Sequence, residues 1–304
     1  MKKNEAVPQP TAASGRRPAN LAGSAEAEAE VCQQKFLRLE ARLRSLGRVL
    51  IAFSGGVDST FLAKVAHDVL GDNALMVTAF SETFSPWERE RARGLADKHG
   101  FRLAVLERSE LMVEGFVRNG PDRCYYCKLD LFTKLRERAR EENIPYLLDG
   151  TTAEDLHDYR PGRKALAETQ VLSPLLEADL HKSEIRFLSQ ALNLETWDQP
   201  AAACLASRIP YGESVTREKL RQVEGAEKYL RSLGVAQCRV RHHGALARIE
   251  VLPKDLAALA AQHRESLVRE FRALGFTYVT LDLAGFRSGS MNEVLSGASP
   301  GQAR

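Results

Sequence analysis

The sequence predicts an α/β protein in which a parallel-sheet domain precedes a smaller α+β domain. Between residues 48 and 149 short apolar segments alternate with amphipathic helices, which is typical of a parallel sheet with helices on both faces. A glycine-rich loop joins the first of these predicted strands to the helix that follows it. After Pro200 the order changes to helix, hairpin, helix and strand, which indicates a second, smaller unit.

The elements of the first domain follow from hydrophobic periodicity. Phe36, Leu39, Leu43 and Leu46 fall on one face of a first helix, and Gly47 ends it. The parallel strands are short, apolar runs, as expected for strands that are buried on both faces. The predicted strands are residues 48–53, 74–79, 103–106 and 146–149, and the helices that separate them are residues 60–70, 86–100 and 128–142.

The second domain is predicted to contain a hairpin and two helices. A polar amphipathic helix comes first, and a second long helix leads from the hairpin to a last strand. The predicted helices are residues 216–233 and 254–274, and the strands are residues 237–241, 247–251 and 278–283, with the hairpin turn at residues 242–244.

Composition limits the classes of function. The net charge of +3 is too small to argue for nucleic-acid binding, and no apolar stretch approaches the roughly 20 residues that a membrane span needs. Residues 1–30 have no apolar signal segment, and we expect them and residues 296–304 to be flexible tails around domains of residues 31–200 and 201–295. Five cysteines without an export signal indicate reduced thiols, so we expect a cytoplasmic protein.

The glycine loop (Ser54-Gly55-Gly56-Val57-Asp58-Ser59) is the strongest chemical signal. Its glycines let the backbone approach phosphate oxygens, and the following helix N-terminus supplies N–H donors. Asp149-Gly150-Thr151 ends another predicted strand, so it falls at the same edge of the sheet. The loop lacks the Gly-Lys-Ser/Thr ending of a Walker A motif, so transfer of the γ-phosphate is not the expected reaction.

The same loop resembles the Ser-Gly-Gly-x-Asp-Ser motif of the PP-loop superfamily, whose adenine nucleotide α-hydrolase-like members cleave ATP between the α- and β-phosphates. The resemblance implies an ATP site formed by the glycine loop and Asp149-Gly150-Thr151. It also implies that Asp58 binds or positions Mg²⁺ against the pyrophosphate leaving group.

Three cysteines form a second candidate site. Cys124 and Cys127 make a C-x-x-C pair, which by itself is compatible with a redox site, zinc, an iron–sulfur cluster or no function. A structural zinc site usually needs four protein ligands, and the sequence places no obvious fourth. With Cys204, three thiolates are enough for a [4Fe–4S] cluster with one open iron. Cys32 and Cys238 have apolar or alternating neighbours and are interpreted as plain residues.

The surroundings of Cys204 resemble those of LarE-type proteins, the ATP-dependent sulfur transferases of nickel-pincer cofactor synthesis. The resemblance covers roughly residues 32–295, with the motifs in the family's order. These motifs are Pro200-Ala-Ala-Ala-Cys204-Leu-Ala-Ser-Arg-Ile-Pro-Tyr-Gly212, Asp149-Gly-Thr-Thr, Asp158-Tyr-Arg-Pro-Gly-Arg163, Ser173-Pro-Leu-Leu176, Arg239-Val-Arg241 and Gly285-Phe-Arg-Ser-Gly-Ser-Met-Asn292.

The resemblance implies a two-stage reaction on pyridinium-3,5-biscarboxylic acid mononucleotide. ATP adenylates one carboxylate and releases pyrophosphate, and sulfur then displaces AMP to leave a thiocarboxylate. In one type of family member the loop cysteine gives up its own sulfur and becomes dehydroalanine. In the other type three cysteines hold a [4Fe–4S] cluster that carries an extra sulfide. Since Cys124 and Cys127 accompany Cys204, the resemblance favours the cluster type, and by analogy it implies a hexamer.

Arginines are the candidates for binding the nucleotide substrate. Arg239 and Arg241 alternate along a predicted strand and therefore share a face, and guanidinium groups bind phosphate in a bidentate manner. In the family this pair binds the substrate phosphate. The resemblance and the position of these residues suggest further substrate-binding members, namely Glu227, Ser207, Arg208 and Trp87, with Arg160, Arg163 and Arg287 as weaker candidates.

Two other functions are compatible with a PP-loop. One is a tRNA thiolation enzyme, which also combines ATP activation with cysteine or cluster chemistry. It predicts an RNA-binding module and a basic face, and neither the net charge nor the C-terminal segment supplies one. The other is a nucleotide sensor without catalysis. We therefore expect a small-molecule nucleotide substrate, no nucleic acid and no membrane partner.

Overall fold

The computed structural model describes residues 20–156, 162–200 and 203–287 of the chain. It confirms the α/β class, because the first sheet has four parallel strands in the order β3-β2-β1-β4. The strands of this sheet are β1 (Val49–Ala52), β2 (Ala74–Phe80), β3 (Arg102–Glu107) and β4 (Tyr146–Leu148). The helices of this part of the chain are α1 (Asn20–Leu46), α2 (Val57–Leu70), α3 (Pro86–His99), α4 (Glu114–Val117), α5 (Arg123–Glu141), α6 (Gly162–Glu168), α7 (Pro174–Glu177) and α8 (Lys182–Ala191).

Strand β1 lies inside the sheet between β2 and β4, and helices cover both faces. Val49 and Ile51 pack into the core formed by α1, α2, α3 and α8. Leu50 points to the other face and packs against α5 and α6. This alternation explains the uninterrupted apolar sequence of β1, since a parallel strand is buried on both sides. The carboxyl ends of the strands therefore meet at one edge, where the glycine loop begins.

The segment predicted as the second domain contains a three-stranded sheet in the order β5-β6-β7, in which the first pair is antiparallel and the second parallel. Apolar residues of its helices, among them Leu230 and Phe271, cover one face of this sheet. Its elements are α9 (Arg217–Ser232), β5 (Cys238–His243), β6 (Leu246–Val251), α10 (Pro253–Gln262), α11 (Arg264–Ala273) and β7 (Tyr278–Leu281).

Several boundaries differ from the sequence prediction. Helix α1 begins at Asn20, inside the segment of residues 1–30 for which the sequence predicts a disordered tail; this segment is rich in Ala and Glu, which are strong helix formers. Helix α5 begins five residues before the predicted residue 128, so the C-x-x-C pair is helical. His242 and His243 belong to β5, and Gly244, with φ +60°, makes the turn instead. The predicted helix 254–274 is interrupted at His263.

Some predictions fall outside the described residues. These are the tail at residues 296–304, the first 19 residues, Arg160 and the end of the C-terminal motif at residues 288–292. In the part of the chain that the structure describes, no helix is long and apolar enough to cross a membrane.

Candidate functional site

The glycine loop leads from β1 into α2. Gly55 has φ +70°, a left-handed conformation that favours glycine, and Gly56 is the N-cap residue of α2. No described side chain caps this helix end. The hydroxyls of Ser54 and Ser59 lie 3.0 Å apart and hold the loop closed. The first N–H groups of α2 are therefore presented to an anion at the edge of the sheet.

The Asp149-Gly150-Thr151 turn packs directly against this loop. A Cβ atom on Gly150 would lie 3.2 Å from the backbone nitrogen of Ser59, so a side chain larger than hydrogen would push the two segments apart. The carboxylate of Asp149 accepts hydrogen bonds from Thr151 and from the hydroxyl of Ser173. The structure thus brings together the two segments that the parallel topology predicted at one edge.

A pocket of about 400 Å³ opens between the glycine loop and α8. Three cationic side chains line it together with Asp58, and none of them was singled out from the sequence. They are Lys128, Lys182 and Arg186. Lys182 and Arg186 are four residues apart in a helix that the sequence analysis did not assign, and that spacing places both on one face. The hydrophobic periodicity of residues 182–191 is the sequence signal that would have indicated this helix and, with it, the two cations.

Asp58 lies among these charges. Burial raises the pKa of Asp58 to about 6, while Lys182 lowers it and the neighbouring Asp155 raises it. Mg²⁺ usually binds one or two protein carboxylates and completes its shell with substrate phosphates and water. Asp58 is therefore a fitting single carboxylate for a phosphate-bound Mg²⁺.

Cys124 and Cys127 lie in the first turn of α5, three residues apart and therefore on one side of the helix. Cys124 is exposed, whereas Cys127 is partly buried against the segment that follows Cys204. Burial raises the pKa of Cys127 to about 12. The Arg108 guanidinium opposes this effect and donates a hydrogen bond to the Cys127 sulfur at 3.4 Å. The thiol is thus protonated until a metal or a substrate replaces the proton.

Cys204 is the second residue of the cysteine segment (residues 203–208), which packs between α4 and α9. Cys204 is an exposed residue, and desolvation by the neighbouring protein raises the pKa of its thiol. Arg123 and Thr83 oppose this rise in pKa, and Cys204 in turn contributes to the raised pKa of Cys127. The structure therefore makes neighbours of Cys204 and Cys127, two residues that the sequence only suggested as partners.

The binding of a [4Fe–4S] cluster by the three thiols stays a prediction. The described residues do not gather three of them around one point. A [4Fe–4S] cluster binds each cysteine through a different iron, so its ligands need not converge on one atom. The hydrogen bond from Arg108 to the Cys127 sulfur is of the kind that stabilises a metal-bound thiolate.

A second pocket, the arginine cleft, opens between α3 and α9 and has a volume of about 240 Å³. Arg208 and Glu227 line it, but they bind each other through two hydrogen bonds of 2.7 and 3.0 Å and are 3% and 1% exposed. Arg208 also donates to the carbonyls of Ala203 and Cys204. This pair therefore positions the cysteine segment, while direct substrate binding by Arg208, Glu227 or Ser207 stays a prediction. The residues that line the cleft are Ser85, Trp87, Glu88, Gln199, Pro200, Ala203, Leu205, Arg208, Glu227, Arg231, Ala236, Gln237, Cys238 and Arg239.

Arg239 and Arg241 have different surroundings. Arg239 lines the arginine cleft, and burial together with the neighbouring Arg208 lowers its pKa to about 10. Arg241 is buried and donates to Glu250 at 2.7 Å and to the carbonyl of Ser207 at 3.0 Å. Of the weaker candidates, Arg163 lies in α6 and Arg287 follows β7. Arg239 and Arg241 both lie in β5, as the sequence predicts, but their alternation along the strand does not reveal that the buried carboxylate of Glu250 pairs with Arg241.

The fold and the loop geometry define the class of protein. A parallel sheet with a Ser-Gly-Gly-x-Asp-Ser loop between β1 and an uncapped helix is the architecture of the PP-loop superfamily, to which this enzyme belongs. A component of the glutamine-hydrolysing GMP synthase of Thermoplasma volcanium is 30% identical over 190 residues, which are 57% of this chain and 60% of that protein. A comparison with protein-family models found no match.

Two further relatives match almost over their full length. An uncharacterised protein of Synechocystis sp. is 44% identical over 265 residues, which are 87% of this chain and 99% of that protein. A pyridinium-3,5-bisthiocarboxylic acid mononucleotide synthase of Lactiplantibacillus plantarum is 43% identical over 265 residues, 87% of this chain and 96% of that protein. The chain belongs to the LarE-type family of pyridinium-3,5-bisthiocarboxylic acid mononucleotide synthases.

Proposed function

We propose that this enzyme uses ATP to adenylate a carboxylate of pyridinium-3,5-biscarboxylic acid mononucleotide and then converts that carboxylate to a thiocarboxylate. The name of the Lactiplantibacillus plantarum relative supports the product. The observation that carries the proposal is the position of residues 199 and 200, which line both the pocket at the glycine loop and the arginine cleft, just before Cys204. The shared residues support a route from the proposed ATP site to the proposed sulfur site and nucleotide-binding cleft.

In the first stage the substrate carboxylate attacks the α-phosphorus of ATP, and the bond to the bridging oxygen of the β-phosphate breaks. The N–H groups at the start of α2 face the phosphates, and Lys128, Lys182 and Arg186 face the negative charge that pyrophosphate acquires as it leaves. Mg²⁺ held by Asp58 would neutralise phosphate charge. Arg186 also donates hydrogen bonds to the carbonyls of Trp197 and Gln199, so this side chain contacts the segment that leads to Cys204.

In the second stage sulfur attacks the acyl adenylate, and AMP leaves. A pocket of about 190 Å³ is lined by Ser54 of the glycine loop on one side and by Cys127 on the other. The Cys127 thiol and the glycine loop thus share one pocket, which supports sulfur transfer to an acyl group activated at that loop. A [4Fe–4S] cluster bound by Cys124, Cys127 and Cys204 would supply an iron-held sulfide. The alternative is that Cys204 gives up its own sulfur and becomes dehydroalanine.

We expect Lys182→Met to raise the KM for ATP by about 10- to 100-fold, because a charge-assisted hydrogen bond contributes about 1.5–3 kcal/mol. Lys182 also lowers the pKa of Asp58, so in the variant the pH at which ATP binding is half lost should move above about 6. Both quantities follow from ATP titrations between pH 5 and 8. Lys164→Met, which removes an exposed lysine of α6, is the matched control. An unchanged KM and pH profile would remove Lys182 from the ATP site.

The proposed function is tested by pyrophosphate release. We expect release from ATP only when the pyridinium biscarboxylate mononucleotide is present, with AMP formed in equal amount once sulfur transfer completes. A chain that binds ATP but releases no pyrophosphate under these conditions would instead be a nucleotide sensor. Tight, salt-sensitive binding of bulk tRNA in a gel shift, together with tRNA-dependent release, would favour a tRNA thiolation enzyme. The hexamer and the cytoplasmic location stay predictions.

A further inference from the structure

Four arginines of the described residues are buried, and three of them pair with a buried carboxylate. These pairs are Arg108–Glu110, Arg208–Glu227 and Arg241–Glu250. Arg123, which is 6% exposed, is the exception, because the described part of the chain places no carboxylate in ion-pair contact with its guanidinium. A buried charge without an opposite charge is costly, so we expect Arg123 to face negative charge that a ligand or a reaction supplies.

The contacts of Arg123 do not offset its charge. Its guanidinium donates to the side-chain oxygen of Asn119 and, at 2.9 Å, to the carbonyl of Ala206, and it lies 5.5 Å from the centre of the Tyr211 ring. None of these three partners carries a formal charge. Arg123 is also the first residue of α5, where the helix dipole disfavours a cation. The positive end of α5 and the guanidinium thus reinforce each other.

Arg123 contacts the turn that carries Cys204. Ala206, which accepts its hydrogen bond, is two residues beyond Cys204, and the carbonyl of Cys204 accepts a hydrogen bond from the backbone of Ser207. Desolvation by the neighbouring protein raises the pKa of the Cys204 thiol, and Arg123 is the charge that most strongly opposes this rise. An anion at Cys204 would therefore lie in the field of Arg123.

The carboxylate of Glu110 acts on Cys204 in the opposite sense and adds to the rise in the pKa of its thiol. Glu110 is buried, however, lies 3.4 Å from the Arg108 guanidinium and accepts hydrogen bonds from Ser81 and Thr83. The negative charge of Glu110 is thereby offset by its own partners, whereas the positive charge of Arg123 is not. We therefore expect a positive potential at Cys204.

We propose that Arg123 is a positioning residue of the sulfur-transfer step, whose positive charge holds the sulfur anion at Cys204 that attacks the acyl adenylate. This inference rests on the proposed function, which requires a sulfur nucleophile at this site. In the attack an electron pair of sulfur forms the new C–S bond, the C–O bond to AMP breaks, and the negative charge leaves with AMP. Arg123 offsets the charge of the sulfur until then, and its hydrogen bond to Ala206 fixes the turn that presents Cys204.

The first test measures the potential at Cys204 in the full chain, prepared without iron. Two methanethiosulfonate reagents of similar size, one with a sulfonate and one with a trimethylammonium group, modify the cysteine, and mass spectrometry of the Cys204 peptide gives both initial rates. Because both reagents attack the same thiolate, the ratio of the rates is independent of the deprotonated fraction. We expect the unsubstituted chain to favour the sulfonate reagent, and Arg123→Gln to lower the ratio by about 5- to 30-fold.

Matched variants separate the charge of Arg123 from its hydrogen bonds. Arg123→Lys should keep the ratio, since it keeps the charge although it loses the planar set of N–H donors. Arg118→Met, which removes an exposed arginine at the end of α4, should leave the ratio unchanged. The inference is overturned if folded Arg123→Gln keeps the ratio, or if Arg123→Lys loses it equally. It is also overturned if the unsubstituted chain shows no preference, so it remains testable even if Arg123→Gln does not fold.

The second test uses the reaction itself. Arg123→Gln should lower the kcat of thiocarboxylate formation by about 10- to 100-fold, the loss expected for one charge-assisted contact, while pyrophosphate release and the KM for ATP stay unchanged. Arg123→Lys should recover part of the loss. An equal loss of both steps in both variants would indicate a structural role only and would contradict the inference. If the unsubstituted chain releases no pyrophosphate, the proposed function has failed, whereas the reagent ratio still reports on Arg123.

Discussion

Replacement of Cys204 by alanine should abolish thiocarboxylate formation, by about 10³-fold or more, while substrate-dependent pyrophosphate release continues. The loss is large because Cys204 either supplies the sulfur or completes the ligand set that holds it, and loss of an essential nucleophile costs on this scale. Pyrophosphate release should persist because the glycine loop and its lysines are separate from the thiol. Product formation and pyrophosphate are measured in the same reaction by mass spectrometry and a coupled assay.

The two sulfur mechanisms give different results in the same experiment. In the cluster type, anaerobically prepared protein should contain about four irons per chain, and Cys124→Ala and Cys127→Ala should lose both iron and sulfur transfer. In the sacrificial type those two variants stay active, and Cys204 becomes lighter by one H₂S after turnover. Cys32→Ala, a change in a buried thiol of the first-domain core, is the control that should keep iron and activity. Full activity of Cys204→Ala would contradict both mechanisms.

Glu227→Gln should lower the free energy of unfolding by about 3–5 kcal/mol, because it leaves the Arg208 charge buried without its partner. The carboxylate also accepts a hydrogen bond from the backbone of Val240, which ties α9 to β5. Urea denaturation of the two proteins measures the difference. The double variant Arg208→Met/Glu227→Met should be more stable than Glu227→Gln, since it removes both charges. A loss below about 1 kcal/mol would mean that water reaches the pair.

The same ion pair predicts a pH dependence. Burial by itself would raise the pKa of Glu227, but the charge and hydrogen bonds of Arg208 outweigh burial and hold the pKa below its ordinary value. Since the folded pKa lies below the unfolded one, about 4.3, the stabilisation is complete above that pH and is lost as pH falls through the folded value. The difference in stability between the unsubstituted protein and Glu227→Gln should therefore shrink below about pH 4.3.

Local patterns predicted the first sheet well. The strands β1, β2, β3 and β4 lie within one or two residues of their predicted bounds, because short apolar runs between helices are a local signal. The helices α6, α7 and α8 were not predicted. Two of them are shorter than eight residues, and their stability depends on packing against the first-domain core more than on intrinsic propensity. Because α8 was not predicted, Lys182 and Arg186, which line the pocket at the glycine loop, were not predicted either.

The sequence by itself determined the glycine loop, the parallel sheet and the family, because these follow from residues that are adjacent in the chain or periodic along one element. Only the tertiary structure decided which partner each arginine side chain has. Arg208 meets Glu227, Arg241 meets Glu250, and Arg231 meets Trp87 of the other domain. Whether a guanidinium pairs with a buried carboxylate or stacks on an aromatic ring depends on partners from distant segments, so spacing along one strand cannot reveal which of the two occurs.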